Sequence, residues 1–446
     1  MRIALFGLLG TCLSAIGLTA CTSTPYVTPQ VPVAETYLHQ TAATLIDKPP
    51  SAWWTSFGDA QLNALVSTVL THNNDLAAAG LTLKKARLTA GLSRLDKWPS
   101  LSGSVSASHA GDTSYSASLS VSYEADLYGR LNDTLRAANW EAQATAEDLA
   151  ATRLALVGTT AELYWTIGYT HRQISVGQED LAHARKVLDL VTTQHDAGAA
   201  SGVDVAEAQQ NVSAQEASLA ALQQNLVEYR ASLAVLLGGI RWDVTREPQI
   251  LPQTPLPEVQ AGLPADLLGQ RPDLRAAEMR LREALATVDA TRKSFYPTFT
   301  LSGSEGGISS ELAEVLKNPS GSVAATLSLP FLDYARIHTN VRVSQTSYEI
   351  AVARFKTTWL QALADVDNAL SNHTQLAQKA AAEAQALKAA QRAEALYAVQ
   401  YKTGAVALRV WLDARQSARA AQLSYDNVRL AQFKNRLTLY QALGGA

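Results

Sequence analysis

Two stretches of the chain repeat their apolar positions every seven residues, and other stretches alternate them every second residue. Leu131, Leu135, Ala138, Ala142, Thr145, Leu149, Thr152 and Leu156 follow spacings of four and three. Val341, Tyr348, Val352, Phe355, Trp359, Leu363, Val366 and Leu370 do nearly the same. Such a heptad marks helices packed along a seam, and Ala or Thr at seam positions lets neighbouring helices approach closely. None of the 15 prolines falls within 131–247 or 331–446. A proline inside a helix costs about 3 kcal/mol, so both stretches are open to very long helices. Each heptad run continues to a break, at Asp196-Ala197-Gly198 or Lys402-Thr403-Gly404. At 1.5 Å per residue, about 65 residues make a helix roughly 100 Å long, against an average of about 11–12 residues in globular proteins. The pattern therefore predicts long helices over 131–195 and 335–400 and return helices over 203–237 and 407–443.

The alternating stretches predict strands. Leu101, Gly103, Val105 and Ala107 interleave with Ser102, Ser104, Ser106 and Ser108, and Leu119, Val121 and Tyr123 with Ser118, Ser120 and Ser122. Further on, Phe299, Leu301 and Gly303 interleave with Thr298, Thr300 and Ser302, and Val323, Ala325, Leu327 and Leu329 line one face. Four strands are expected, over about 99–110, 114–125, 297–306 and 321–331. Ten residues cross a bilayer in a tilted barrel; a surface hairpin packed on helices would show the same period. Four strands cannot close a barrel, and open edges are not tolerated in hydrocarbon. Strands placed in a membrane would therefore have to share one barrel among several chains.

The chain is also duplicated. A shift of 206 residues lays Leu127-Tyr128-Gly129-Arg130 on Asp333-Tyr334-Ala335-Arg336, Gly198 on Gly404, Ala206-Glu207-Ala208 on Leu412-Asp413-Ala414, and Leu237-Gly238-Gly239 on Leu443-Gly444-Gly445. Upstream, a shift of 198 lays Asp75-Leu76 on Asp273-Leu274 and Trp98-Pro99 on Tyr296-Pro297. The difference of eight falls between the strands of each repeat, where hairpin loops vary. Repeat 1 is expected over 61–240 and repeat 2 over 270–446, joined by a Pro-rich linker, 241–269.

Composition adds the compartment. Arg2 followed by the apolar run Ile3 to Leu18 reads as an export signal over 1–20. It ends in Leu18-Thr19-Ala20-Cys21, which looks like a bacterial lipobox with Cys21 as the lipidated residue; an ordinary secretory signal is the alternative. Removal of the signal takes Cys12 with it and leaves one cysteine, which cannot form an intramolecular disulfide. A diacyl lipid supplies the two chains that stable anchoring needs. Residues 21–60 are then expected to form a lipid-anchored N-terminal tether and equatorial segment. Thr22, where an Asp would favour inner-membrane retention, points to the outer membrane. With 37 basic and 40 acidic residues the chain has no electrostatic footprint for nucleic acid. The eight His show no i, i+4 pair, and no phosphate-cradling loop or nucleophile elbow occurs, so no metal site, cofactor or enzyme activity is expected.

Several motifs together resemble the TolC/OprM-like (NodT-type) outer-membrane efflux lipoproteins, the outer-membrane factors of RND-type pumps. Trp53-Trp54-Thr55-Ser56-Phe57-Gly58-Asp59 with Leu62 and Leu65 resembles the entry motif. Gln270-Arg271-Pro272-Asp273-Leu274 is similar to the family's helix start, and Tyr123 to Arg130 and Leu329 to Asp333 to its strand-to-helix junctions. Tyr401 to Gly404 with Leu412 to Ala414 is similar to its hairpin tip. The resemblance implies a mostly α protein with a membrane β-barrel portion. In it a homotrimer builds a 12-stranded barrel, continued by an α-helical periplasmic tunnel. The implied partners are a periplasmic adaptor (membrane fusion) protein, an inner-membrane RND-type pump and outer-membrane lipid. Such a chain is a passive efflux duct for small molecules. A channel for type I protein secretion and a non-channel coiled-coil adaptor are the alternatives.

The resemblance also nominates residues. Gly198 and Gly404 are the tip turns and adaptor contacts. Asp413 takes the place of the inner acidic residue of the closed entrance, with Val410 at the other acidic position. Tyr401 and Asp204 align with a hydrogen-bonded latch pair, whereas Val406 and Val203 replace the second. On this reading Tyr401→Phe is expected to raise the conductance of the channel.

Overall fold

The computed structural model describes residues 23–32, 36–39, 52–257, 264, 267–317 and 319–445. The export signal, Cys21 and much of the tether lie outside the described residues. The elements in chain order are α1 (Ala60–His72), α2 (Asn74–Leu95), β1 (Ser100–Ala110), β2 (Asp112–Ala125), α3 (Arg130–Asp196) and α4 (Gly202–Leu236). After the linker come a helical turn Leu267–Gln270, α5 (Pro272–Lys293), β3 (Thr298–Ser309), β4 (Ser320–Ser328), α6 (Tyr334–Lys402) and α7 (Leu408–Ala442). Helices α3 and α6 span 67 and 69 residues. Every heptad position named above is buried or half-buried, as a packed seam requires. Among the described residues no helix is long and apolar enough to cross a membrane.

The duplication does not make two spatial domains. One compact unit takes residues within 23–32, 79–149 and 272–360, and the other residues within 36–78, 150–271 and 361–445, so each draws on both repeats.

The first unit carries a single antiparallel sheet in the order β1-β2-β3-β4. Ser100 lies opposite Ser122, Ala125 opposite Phe299, and Thr298 opposite Ser328. Strand alternation follows the expected period, and serines pair across strands: Ser104 with Ser118 at 2.9 Å, Ser106 with Ser116 at 2.8 Å, and Ser304 with Ser322 at 2.8 Å. β3 extends to Ser309, beyond the expected end at 306. β4 stops at Ser328 instead of 331, because Pro330 has no N–H for a ladder and opens a 3₁₀ turn, Pro330–Leu332. β1 and β4 are the free edges and are exposed along their whole length.

Below β2, a buried ionic cluster joins α3 and α5. Asp133, fully buried, lies 2.7 Å from Lys293 and 3.2 Å from Arg136, and Arg136 reaches Asp289 at 2.9 Å. The N-terminal segment plugs into this cluster. Ser23 Oγ donates to Asp133 at 3.0 Å, and Thr24 donates through its N–H and Oγ1 to the two oxygens of Asp289 at 2.9 and 2.6 Å. Charges so buried need this many partners, since each unpaired one costs several kcal/mol.

The second unit packs around aromatic rings. Trp53 stacks on Tyr440 with centroids 4.8 Å apart, and Trp165 meets Phe57 at 4.7 Å and Phe433 at 4.6 Å. Leu62 and Leu65 are fully buried among them. Asp59 caps α1 by accepting from the N–H groups of Gln61 and Leu62, and its other oxygen accepts from Tyr164 at 3.0 Å. The entry motif is thus a helix cap with its aromatic ballast. Glu247, buried in the linker, accepts a two-pronged Arg230 at 2.8 and 2.7 Å and meets His171 at 2.7 Å, tying the Pro-rich segment to α3 and α4.

Candidate functional site

Both hairpin tips are built by one device. At the end of α3 the Ala199 N–H donates to Gln194 and that of Gly198 to His195; at the end of α6 the Ala405 N–H donates to Gln400 and that of Gly404 to Tyr401. This is a Schellman stop. It needs its glycine in the left-handed region, which Gly198 (φ +75°) and Gly404 (φ +77°) supply without the strain a Cβ would add. Both glycines are exposed with open space around the missing Cβ, so the turns are stops first and accessible surface second.

Beyond the turns the two tips differ. At the first, Ser201 and Asp204 form a capping box: the Asp204 carboxylate accepts from the Ser201 N–H and Oγ, both at 2.8 Å, and the Asp204 N–H donates to Ser201 Oγ at 3.2 Å. The Ser201 hydroxyl and backbone bonds hold the Asp204 carboxyl below the usual carboxylate range. α7 starts at the second tip with no side-chain cap.

The structure does not join Tyr401 to Asp204. Asp204 is engaged by its own cap, and Tyr401 stacks on Trp411 of α7 at 5.3 Å with planes 17° apart. The Tyr401 ring makes an aromatic contact, while the capping box uses one oxygen of the Asp204 carboxylate. Val203 is largely exposed and Val406 half-buried. Trp411 continues the contact to α3, meeting His183 edge-on at 5.8 Å, and His183 lies 2.9 Å from Arg415. Burial, with Arg415 and Lys186 nearby, lowers the His183 pKa below the ordinary 6.5, which keeps the ring neutral. The tip of α7 is therefore held by the series Tyr401, Trp411, His183. Trp411 lies next to Leu412 and Asp413 and was the available signal: a tryptophan in a polar helix tip needs a partner.

Asp413 is exposed on α7. Its repeat mate Glu207 on α4 lies 3.8 Å from Arg409, so one tip acid is paired. No ion pair to Asp413 occurs among the described residues, and its carboxylate is exposed nine residues beyond the Gly404 turn. Among the described residues no group of three or more His, Cys, Asp or Glu is arranged to hold a metal.

The family model described as outer membrane efflux protein matches residues 65–239 and 263–445. The toxin and drug export protein A of Aggregatibacter actinomycetemcomitans is 30% identical over 404 residues, covering 88% of each chain. The pyoverdine export outer membrane protein OpmQ of Pseudomonas aeruginosa is 30% identical over 411 residues, 88% of this chain and 87% of that one. The open-state MtrE outer membrane channel of Neisseria gonorrhoeae superposes with a TM-score of 0.80 at 27% identity, over 95% of this chain and 98% of that one. This chain belongs to the outer membrane efflux protein family and is a channel of the outer membrane, not an enzyme.

Proposed function

We propose that the chain works as a homotrimer whose four strands per copy complete one 12-stranded barrel, and that the trimer is the passive outer duct of a tripartite efflux system. The observation that carries this reading is the sheet itself. It has two unpaired edges, strands of 9–14 residues, and strict alternation, and no protomer of four strands closes on itself. A periplasmic adaptor docks on the turns at Gly198 and Gly404 and links the duct to an RND-type inner-membrane pump. Relatives named for export of a toxin and drugs and of pyoverdine support a duct that selects little, with small molecules chosen by the pump.

Lipidation of Cys21 anchors the chain to the outer membrane. Ser23 and Thr24, which are two and three residues beyond it, are fixed on the unit that carries the sheet, so the anchor emerges from the body that the barrel reading places in lipid. In the unit that carries the hairpin tips the Trp411 contact holds the closed entrance, and three Asp413 carboxylates around one axis focus a negative field on it. Purified protein in a planar bilayer is the test. Stepwise, cation-selective conductance is expected, and Asp413→Asn lowers the selectivity without abolishing the steps. A protein that never conducts would refute the duct, and selectivity untouched by Asp413→Asn would refute the acidic ring.

A further inference from the structure

The two sequence shifts hold in the fold as well. Moving the pair Ser100 and Ser122 by 198 and 206 residues gives Thr298 and Ser328, which are in fact partners in the second hairpin. The Gly238 backbone packs against the His72 carbonyl, and the same shifts give Gly444 against the Gln270 carbonyl, again a contact the fold makes. The pseudosymmetry therefore transfers pairings, not just elements. One pairing has no counterpart among the described residues: β2 against β3, whose image is β4 against β1, the two free edges.

We infer that β4 of one copy pairs with β1 of the next in a single register, Ser328 opposite Ser104, and that Trp98 of one copy stacks on Tyr334 of the next. The inference rests on the shared-barrel reading above and names its seam. Within the chain Ser122 lies opposite Ser302, Val121 opposite Gly303 and Ser120 opposite Ser304. Their images are Ser328 with Ser104, Leu327 with Val105, and Thr326 with Ser106, so each polar residue meets a polar one and each apolar residue an apolar one. A slip of one residue would set Ser against Leu or Val on both faces.

The rim decides between this register and a slip of two, which would preserve the faces. Tyr128, after β2, stacks on Tyr296, before β3, at 4.8 Å with planes 20° apart. Their images are Tyr334, after β4, and Trp98, before β1. Both are exposed in the single chain, at 61% and 67%, which is large for aromatic rings without a reason to be wet. The residues preceding them change together: Leu127 and Phe295 become Asp333 and Lys97, which within the chain meet Arg336 at 2.8 Å and Asn132 at 3.2 Å. Slipping the seam by two residues moves Trp98 about 7 Å along the strand, beyond stacking distance of Tyr334. Trp98 lines a concavity with Arg94, Lys97, Pro99, Tyr123 and Leu135, which offers apolar surface and two cations to the next copy.

Paired cysteines test the register in the full-length protein in outer membranes, because the native Cys12 and Cys21 lie outside the strands. Ser106→Cys with Thr326→Cys should, on oxidation, give thiol-reducible bands of two and three chains on denaturing gels. Ser106→Cys with Ser328→Cys, displaced by two, should stay at the single-chain position, as should each single variant. Efficient linkage of the displaced pair and none of the predicted pair overturns the register. A photoreactive benzoylphenylalanine at 334 gives a second reading without cysteines, and should capture the Trp98 peptide of another copy. Native mass of the same samples separates the failures. Three chains with neither linkage refute this seam and leave the shared barrel standing, whereas one chain per particle refutes both.

Discussion

Lys293→Ala removes the nearest cation from a carboxylate with no exposure at all. Asp133 keeps only Arg136 at 3.2 Å, whose side chain is one-third exposed, and Ser23 Oγ at 3.0 Å. Breaking a buried pair by deleting one partner costs about 3–5 kcal/mol, since the remaining charge stays desolvated. The residual Arg136 contact places the expected loss at the lower end, about 3 kcal/mol. Lys293 Nζ also lies 3.5 Å from Ser23 Oγ, so the N-terminal segment should loosen and become a protease target. The assay compares the midpoint for heat dissociation of the purified protein among Lys293→Ala, Asp133→Leu and the double variant Lys293→Met with Asp133→Leu. The double variant carries no orphan charge and should recover most of the loss. A Lys293→Ala protein as heat-stable as the parent, or a double variant weaker than the single, would refute the claim that this cluster is a closed set of mutually compensating charges.

Gly444→Ala should also destabilise. Its φ of +91° is left-handed, and an added Cβ would stand 2.5 Å from the Gln270 carbonyl oxygen, so a loss of more than about 1 kcal/mol in the same assay is expected. Trp411→Ala removes the ring shared by Tyr401 and His183, worth about 1 kcal/mol, and should raise the open fraction of single channels several-fold. Tyr401→Phe keeps the stack and should leave conductance nearly unchanged, contrary to the expectation from the sequence; a rise as large as that of Trp411→Ala would restore the hydroxyl as the latch. The lowered pKa of His183 fixes the sign of a pH effect. The folded protein resists a proton that the unfolded chain accepts near the ordinary 6.5, so its stabilising contribution is present above pH 6.5 and lost as pH falls below it. Proteolysis at the tips should therefore quicken at acid pH in the parent and much less in His183→Gln.

Much of the fold was legible because its periods are long and clean. A heptad sustained without proline leaves little besides helix, and Ser alternating with Leu or Val leaves little besides strand. The duplication went further than the elements: two shifts read from the sequence map the pairing of the first hairpin onto that of the second. Pro330 is visible in the sequence as well: a strand loses a donor at proline, and β4 ends at Ser328, short of the expected 331. What stayed hidden needed distance. Ser23 and Thr24 meet Asp133 and Asp289 across separations of 110 and 265 residues, and no local pattern marks such a meeting. Within one chain Tyr401 and Asp204 are engaged separately: Ser201, three residues before Asp204, holds one oxygen of its carboxylate in a capping box that the local sequence spells out.

Native mass spectrometry of the protein extracted from outer membranes in mild detergent tests the account most directly. A sheet with two open edges in lipid requires partners, and the predicted result is a particle of three chains, each carrying the mass of a diacylglyceryl group and lacking residues 1–20. A stable particle of one unlipidated chain that remains in solution without detergent would contradict it.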